Sequence, residues 1–93
     1  MPQRSTPFQR LVLHVQEQLA PLGTVKESEF LTDSVTGDQR EVDIVLRTRV
    51  GEHPVVISVE CIEHKRKATM PWVEQIHCKH LRLETNKLVL ISL

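Results

Sequence analysis

Apolar residues recur along this chain with two different periods, and the points where the period changes mark its elements. Phe8, Leu11, Val12, Val15 and Leu19 are spaced three and four apart, which places them on one stripe of a helix. Ser5-Thr6-Pro7 supplies its start, with a hydroxyl N-cap and a proline at the first helical position, where the missing N–H costs nothing. Pro21 and Gly23 end it. Met1 to Thr6 reads as a flexible tail. From Thr24 to Thr32, Val25, Phe30 and Leu31 stand among charges, as in an edge strand. Asp33-Ser34-Val35-Thr36-Gly37-Asp38 is turn chemistry, with Gly37-Asp38 at a hairpin tip. Arg40 to Arg49 then alternates, with Val42, Ile44 and Leu46 on one face and Glu41, Asp43, Val45 and Arg47 on the other.

A second turn, Gly51-Glu52-His53-Pro54, leads into Val55 to Ile62, a nearly continuous β-branched run that predicts a central strand covered on both faces. The charged stretch Glu63 to Lys67 follows. Val73, Ile76, His80 and Leu83 then recur at helical spacing between Pro71 and Glu84, and Lys87 to Leu93 is an apolar closing strand. The predicted order is helix, three strands, helix, strand. A meander followed by a helical crossover gives a mixed sheet, because such a crossover returns its strand parallel to the one before. With the first helix on the remaining face, the expected fold is α/β: a three-layer α/β/α sandwich with a mixed four-stranded sheet, one domain over residues 1–93.

Composition agrees with one small core. Of 93 residues, 40% are apolar and 26% charged, far from the signature of disorder. Phe8, Phe30 and Trp72 are the only aromatic rings, so a stacking platform for single-stranded bases is not expected. The formal net charge is zero, yet Lys65, Arg66, Lys67, Lys79, Arg82 and Lys87 outnumber the acids between Lys65 and Lys87, so that half could face phosphate. Cys61 and Cys78 are too few for a disulfide framework, the N-terminus carries no signal-peptide core, and no apolar run reaches membrane-spanning length. The expected setting is cytoplasmic, away from the membrane.

The chemistry centres on two acids. If the strands that carry Asp43 and Glu60 are antiparallel neighbours, their carboxylates return side by side on one face. Two such acids in a mostly apolar sheet repel each other and are costly to bury, a penalty that a divalent cation removes. Hard oxygen donors in that arrangement suit Mg²⁺ or Mn²⁺, which keep several waters and bind substrate phosphate. The competing structural account pairs Asp43 with Arg40 or Arg47 and Glu60 with a nearby lysine.

Arg40-Glu41-Val42-Asp43, the strand Val55 to Ile62 with its charged extension to Lys67, the helix Trp72 to Lys79 and the closing strand Asn86 to Ser92 together resemble the PD-(D/E)XK nuclease superfamily, especially its Mrr-like restriction-endonuclease branch. The resemblance covers about Phe8 to Leu93 and is carried by the order of parts, since the motif itself is short. It implies a restriction-endonuclease-like core and metal-dependent cleavage of DNA phosphodiester bonds. Asp43 and Glu60 match the family's two metal-holding acids. Its third member is a lysine two residues after the second acid, where this chain has Ile62.

Replacements for that lysine remain open. Glu63-His64-Lys65 is a shifted E-x-K triplet that would need a bulge or a strand end, and Lys65 could also reach back from beyond the strand. Lys79, four residues after Gln75 on the same helix face, is the migrated alternative, ranked just below Lys65. Gln75 resembles the polar helix residue that some branches place beside the attacking water. Glu17 resembles an acid sent toward the metal from the first helix, and Arg66 and Lys67 are expected to contact phosphate. A homodimer, or a place in a larger nuclease assembly, would let both DNA strands be cut. Two other readings compete: a catalytically inactive nuclease-fold module that binds DNA or a protein, and a zinc-stabilised domain using Cys61, His64, His77, Cys78 and His80, in which the facing of the ligands is poor.

Overall fold

The protein's structure is a computed structural model that describes residues 6–62 and 69–93. The chain runs through helix α1 (Thr6–Leu19), a 3-10 turn at Ala20–Leu22, strands β1 (Gly23–Thr32), β2 (Gln39–Val50) and β3 (His53–Ile62), helix α2 (Met70–Leu81) and strand β4 (Lys87–Ser92). This is a mixed α/β fold with a four-stranded sheet in the order β1-β2-β3-β4. The β1/β2 and β2/β3 pairs are antiparallel and β3/β4 is parallel, as a meander followed by a helical crossover requires.

Local chemistry sets the ends of the elements. Asp33 Oδ1 accepts hydrogen bonds from the N–H groups of Val35 (2.8 Å) and Thr36 (3.1 Å), and Gly37 takes a φ of 78°, so the β1–β2 connection closes as the turn residues predict. Thr69 caps α2 by accepting from the Trp72 N–H. That helix is shorter than the predicted Pro71 to Glu84, because the Arg82 N–H folds back on the carbonyls of His80 and Lys79 and closes the last turn. Leu83 lies beyond the helix and is still buried.

The core divides between two clusters. Phe8 and Val12 of α1 pack with Ile44 and Val59, flanked by Val25, Val89 and Ile91 of the sheet. Leu31, Val42, Val45 and Leu83 form the other cluster. Simple alternation put Val42 with Ile44, and the structure separates them. The reason lies at Asp43. Pairing with β1 passes from Glu27↔Ile44 to Glu29↔Val42, stepping over Ser28, whose φ is +53°. Pairing with β3 begins at Ile44↔Val59. The β1 ladder is interrupted at Asp43 without a change of register and the β3 ladder ends one residue away, and Val42 packs in the cluster of Val45 and not in that of Ile44.

Candidate functional site

Where the ladder skips Asp43, two carboxylates take over the hydrogen bonding. Glu60 Oε1 accepts from the Asp43 N–H at 3.1 Å, and Asp43 Oδ2 accepts from the Cys61 N–H at 2.8 Å. The adjacent register pair Ile44↔Val59 makes Asp43 and Glu60 the next opposed positions, so the two acids meet across β2 and β3. The competing structural account holds for its lysine half, since Glu60 pairs with Lys79 at 2.7 Å, and not for its arginine half. Arg40 pairs with Asp33, and Arg47 pairs with Glu29 and Glu84.

Glu60 is 4% exposed, and its other oxygen is held from α2. Lys79 Nζ lies 2.7 Å and His80 Nε2 3.1 Å from Oε2, while Lys79 also donates to the Glu41 carbonyl. Both residues belong to the last turn of α2, where the helix dipole favours positive charge. Burial pushes the Glu60 carboxyl up, but hydrogen bonds from His80 and Lys79, the Lys79 charge and the Asp43 N–H outweigh it and hold the group below its ordinary 4.5. Glu60 is therefore ionised at neutral pH and only accepts.

That fixes the polar chain behind it. His80 Nε2 donates to the Glu60 carboxylate, and its Nδ1 lies 2.8 Å from the Thr85 hydroxyl on the other side of the ring. Thr85 Oγ1 in turn lies 2.8 Å from Ser58 Oγ, whose residue is fully buried. Among the described residues no buried side-chain nitrogen or oxygen lacks a partner.

The residues singled out from sequence are distributed unevenly. Asp43, Glu60 and Lys79 are brought together. Gln75 is exposed and lines, with Arg40, Ile76, Cys78, Lys79 and Arg82, an open concavity of about 550 Å³ beside the pair. Glu17 is exposed on α1, and among the described residues no group of three or more His, Cys, Asp or Glu is placed to share an ion, so Glu17 does not join the two acids. The same observation leaves Cys61, His77, Cys78 and His80 without the geometry of a zinc site. Cys61 packs against the α1 cluster and His80 is buried on Glu60. Lys65, Arg66, Lys67 and His64 lie outside the described residues.

Thr85 and Ser58 went unnoticed in the sequence and His80 was weighed there only as a zinc ligand, although His80 and Ser58 left a signal of their present role. His80 occupies a place in the apolar stripe of its helix, and Ser58 interrupts an otherwise apolar strand. A polar residue at a core position needs a partner. Asp43 and Glu60 are oxygen donors of the type a hard cation takes, one or two carboxylates with water and phosphate completing the shell of Mg²⁺, and both Glu60 oxygens and Asp43 Oδ2 are engaged here by protein donors that an ion would have to displace or share. Among the described residues no helix is long and apolar enough to cross a membrane. Comparisons with protein-family models, with curated proteins and with solved structures return no match to this chain.

Proposed function

We propose that this chain is a restriction-endonuclease-like domain, an α/β/α sandwich of the PD-(D/E)XK type, that hydrolyses DNA phosphodiester bonds with Mg²⁺ or Mn²⁺ held by Asp43 and Glu60. The observation that carries the reading is the 2.7 Å contact of Lys79 with Glu60, beside Asp43. It supplies from the following helix the cation that Ile62 cannot supply from the strand. A cytoplasmic setting belongs to the same proposal and draws on a sequence with two cysteines, too few for a disulfide framework.

Asp43 and Glu60 would hold the ion, whose charge would polarise the phosphoryl group and neutralise the leaving oxygen. The chain's own residues supply the rest. Lys79 Nζ, in contact with Glu60, would stabilise negative charge that develops on the phosphoryl oxygens. Gln75, one turn earlier on the edge of the concavity, is within the same face to orient a water. His80 fixes the Glu60 carboxylate from behind and keeps Oε2 from rotating away.

One observation favours a second reading. Glu60 already has three protein partners across its two oxygens, an arrangement that is electrostatically complete without metal. An inactive module that binds DNA or a protein accounts for that equally well. Incubation with supercoiled, linear and branched DNA in Mg²⁺ or Mn²⁺ separates them. The nuclease reading expects cleavage that falls to background in Asp43→Ala and Glu60→Ala, and by about 10²–10³-fold in Lys79→Met. Cleavage that survives both alanine variants, or none on any substrate, counts against it.

A further inference from the structure

Next to the carboxylate pair lies a second charged cluster, built around a carboxylate that the proposed chemistry does not use. Asp33 is 1% exposed. Its Oδ1 is taken by the Val35 and Thr36 N–H groups of its own turn, which leaves Oδ2 facing two guanidinium groups, Arg40 Nη1 at 3.3 Å and Arg82 Nη1 at 3.9 Å. The Ser34 N–H donates to the Arg82 carbonyl at 2.8 Å and fastens the turn to the end of α2. Two arginines far apart in sequence are thus held by one buried anion.

The charges do not cancel. Asp33 carries one negative charge against two positive, and among the described residues neither guanidinium has another carboxylate within ion-pair distance. The anion is inside and the cations are outside, with side-chain exposures of 38% for Arg40 and 49% for Arg82. Each guanidinium has five N–H donors in a rigid fork, and Asp33 engages only one nitrogen of each. Both arginines line the concavity of about 550 Å³ that also contains Lys79, the residue in contact with Glu60. A neighbouring hollow is lined by both arginines together with Asp33 and Asp38, so on that side the positive surface is offset by a second carboxylate and the side toward Lys79 is the more positive.

We infer that Arg40 and Arg82, oriented by Asp33, form a phosphate-contact site for the backbone of a nucleic-acid strand, adjoining the carboxylate pair through Lys79. The identity of the ligand rests on the nuclease reading, whereas the preference for a phosphate-bearing polyanion rests on the cluster itself. A fixed pair of forked donors suits the tetrahedral oxygens of a phosphodiester better than a mobile lysine does. Asp33 is a positioning residue: it sets where the forks stand and touches no ligand.

Fluorescence anisotropy of a labelled DNA duplex, read with the full chain in Ca²⁺ so that turnover does not interfere, tests this over a range of salt concentrations. Arg40→Gln and Arg82→Gln each weaken binding severalfold, and each lowers the steepness of the salt dependence by about 0.9 per lost phosphate contact. Circular dichroism checks the fold of every variant. If a glutamine variant unfolds, Arg40→Lys with Arg82→Lys retains the charge on Asp33 but removes the forks, and weakened binding is again expected. Wild-type affinity and slope in the folded double variant overturn the inference, as does failure of the wild-type chain to bind DNA at low salt. Binding that depends on the arginines in a chain that never cleaves in Mg²⁺ or Mn²⁺ removes the nuclease reading and leaves the phosphate site standing. Cleavage with no effect of the arginines does the reverse.

Discussion

Glu60 shows how one residue can stabilise a structure and limit it. Its carboxylate is nearly sealed from solvent and depends on His80, Lys79 and the Asp43 N–H to remain ionised. Replacing His80 with alanine leaves one Glu60 oxygen and the Thr85 hydroxyl short of a partner, so a loss of about 1–3 kcal/mol in urea unfolding is expected. The pH dependence follows from the same contacts. A carboxyl held below its unfolded value contributes stability that is complete above that value and disappears as the pH falls through the folded one. For Glu60 the loss begins near 4.5 and grows below it. Asp33 behaves likewise from 3.8 downward: burial raises its carboxyl, but the Val35 and Thr36 N–H groups, Arg40 and Arg82 outweigh that and lower it. Urea midpoints at about pH 7 and about pH 3 should therefore differ less in Glu60→Gln than in the wild type, with the Asp33 share remaining. An equal acid sensitivity in both would show that Glu60 is not held as described.

At the scale of elements, the site exists because β2 is not a regular strand. The interrupted pairing at Asp43 leaves room for the two carboxylates to take the backbone hydrogen bonds, and Val42 packs on the Leu83 side. Elsewhere β1 and β2 are clamped together. Gly23 pairs with Thr48, and a Cβ at position 23 would run into the Arg47 carbonyl oxygen, a backbone atom that cannot swing aside. Gly23→Ala is expected to cost about 1–3 kcal/mol by forcing the strands apart. Thermal unfolding measures it, and an unchanged midpoint would mean that the start of β1 yields easily. Arg47, ion-paired to Glu29 of β1 and Glu84 after α2, would shift with its carbonyl, so the disturbance should reach beyond the edge strand.

For the whole molecule, the question is whether an ion adds to a site that protein groups already satisfy. A ligand that binds only the native state raises stability by RT ln(1 + [L]/Kd), about 2.7 kcal/mol at a hundredfold excess over Kd. Mn²⁺ should therefore raise the melting midpoint of the wild-type chain, and Asp43→Ala should remove the increase. This separates metal binding from cleavage, because a catalytically inactive metal site still shows it. A midpoint indifferent to Mn²⁺ and Mg²⁺ would count against Asp43 and Glu60 as ligands and favour the self-satisfied ion pair as their role.

Much of this protein was written locally. Phe8, Val12 and Val15 announce α1 because a helical stripe is a property of near neighbours, and Gly37 with Asp33 announces the first hairpin because turn geometry needs only a few residues. The same local rules, joined to the handedness and length of a helical crossover, were enough for the strand order and for the opposition of Asp43 and Glu60. What only the tertiary structure decided depends on the angle at which α2 lies across the sheet. Lys79 reaches Glu60 and His80 is buried behind it because the last turn of that helix comes down on β3, and Arg40 and Arg82 stand together because one turn of chain folds against the end of the same helix. No period in a sequence encodes such an angle, since it is set by side chains distant along the chain meeting in one place.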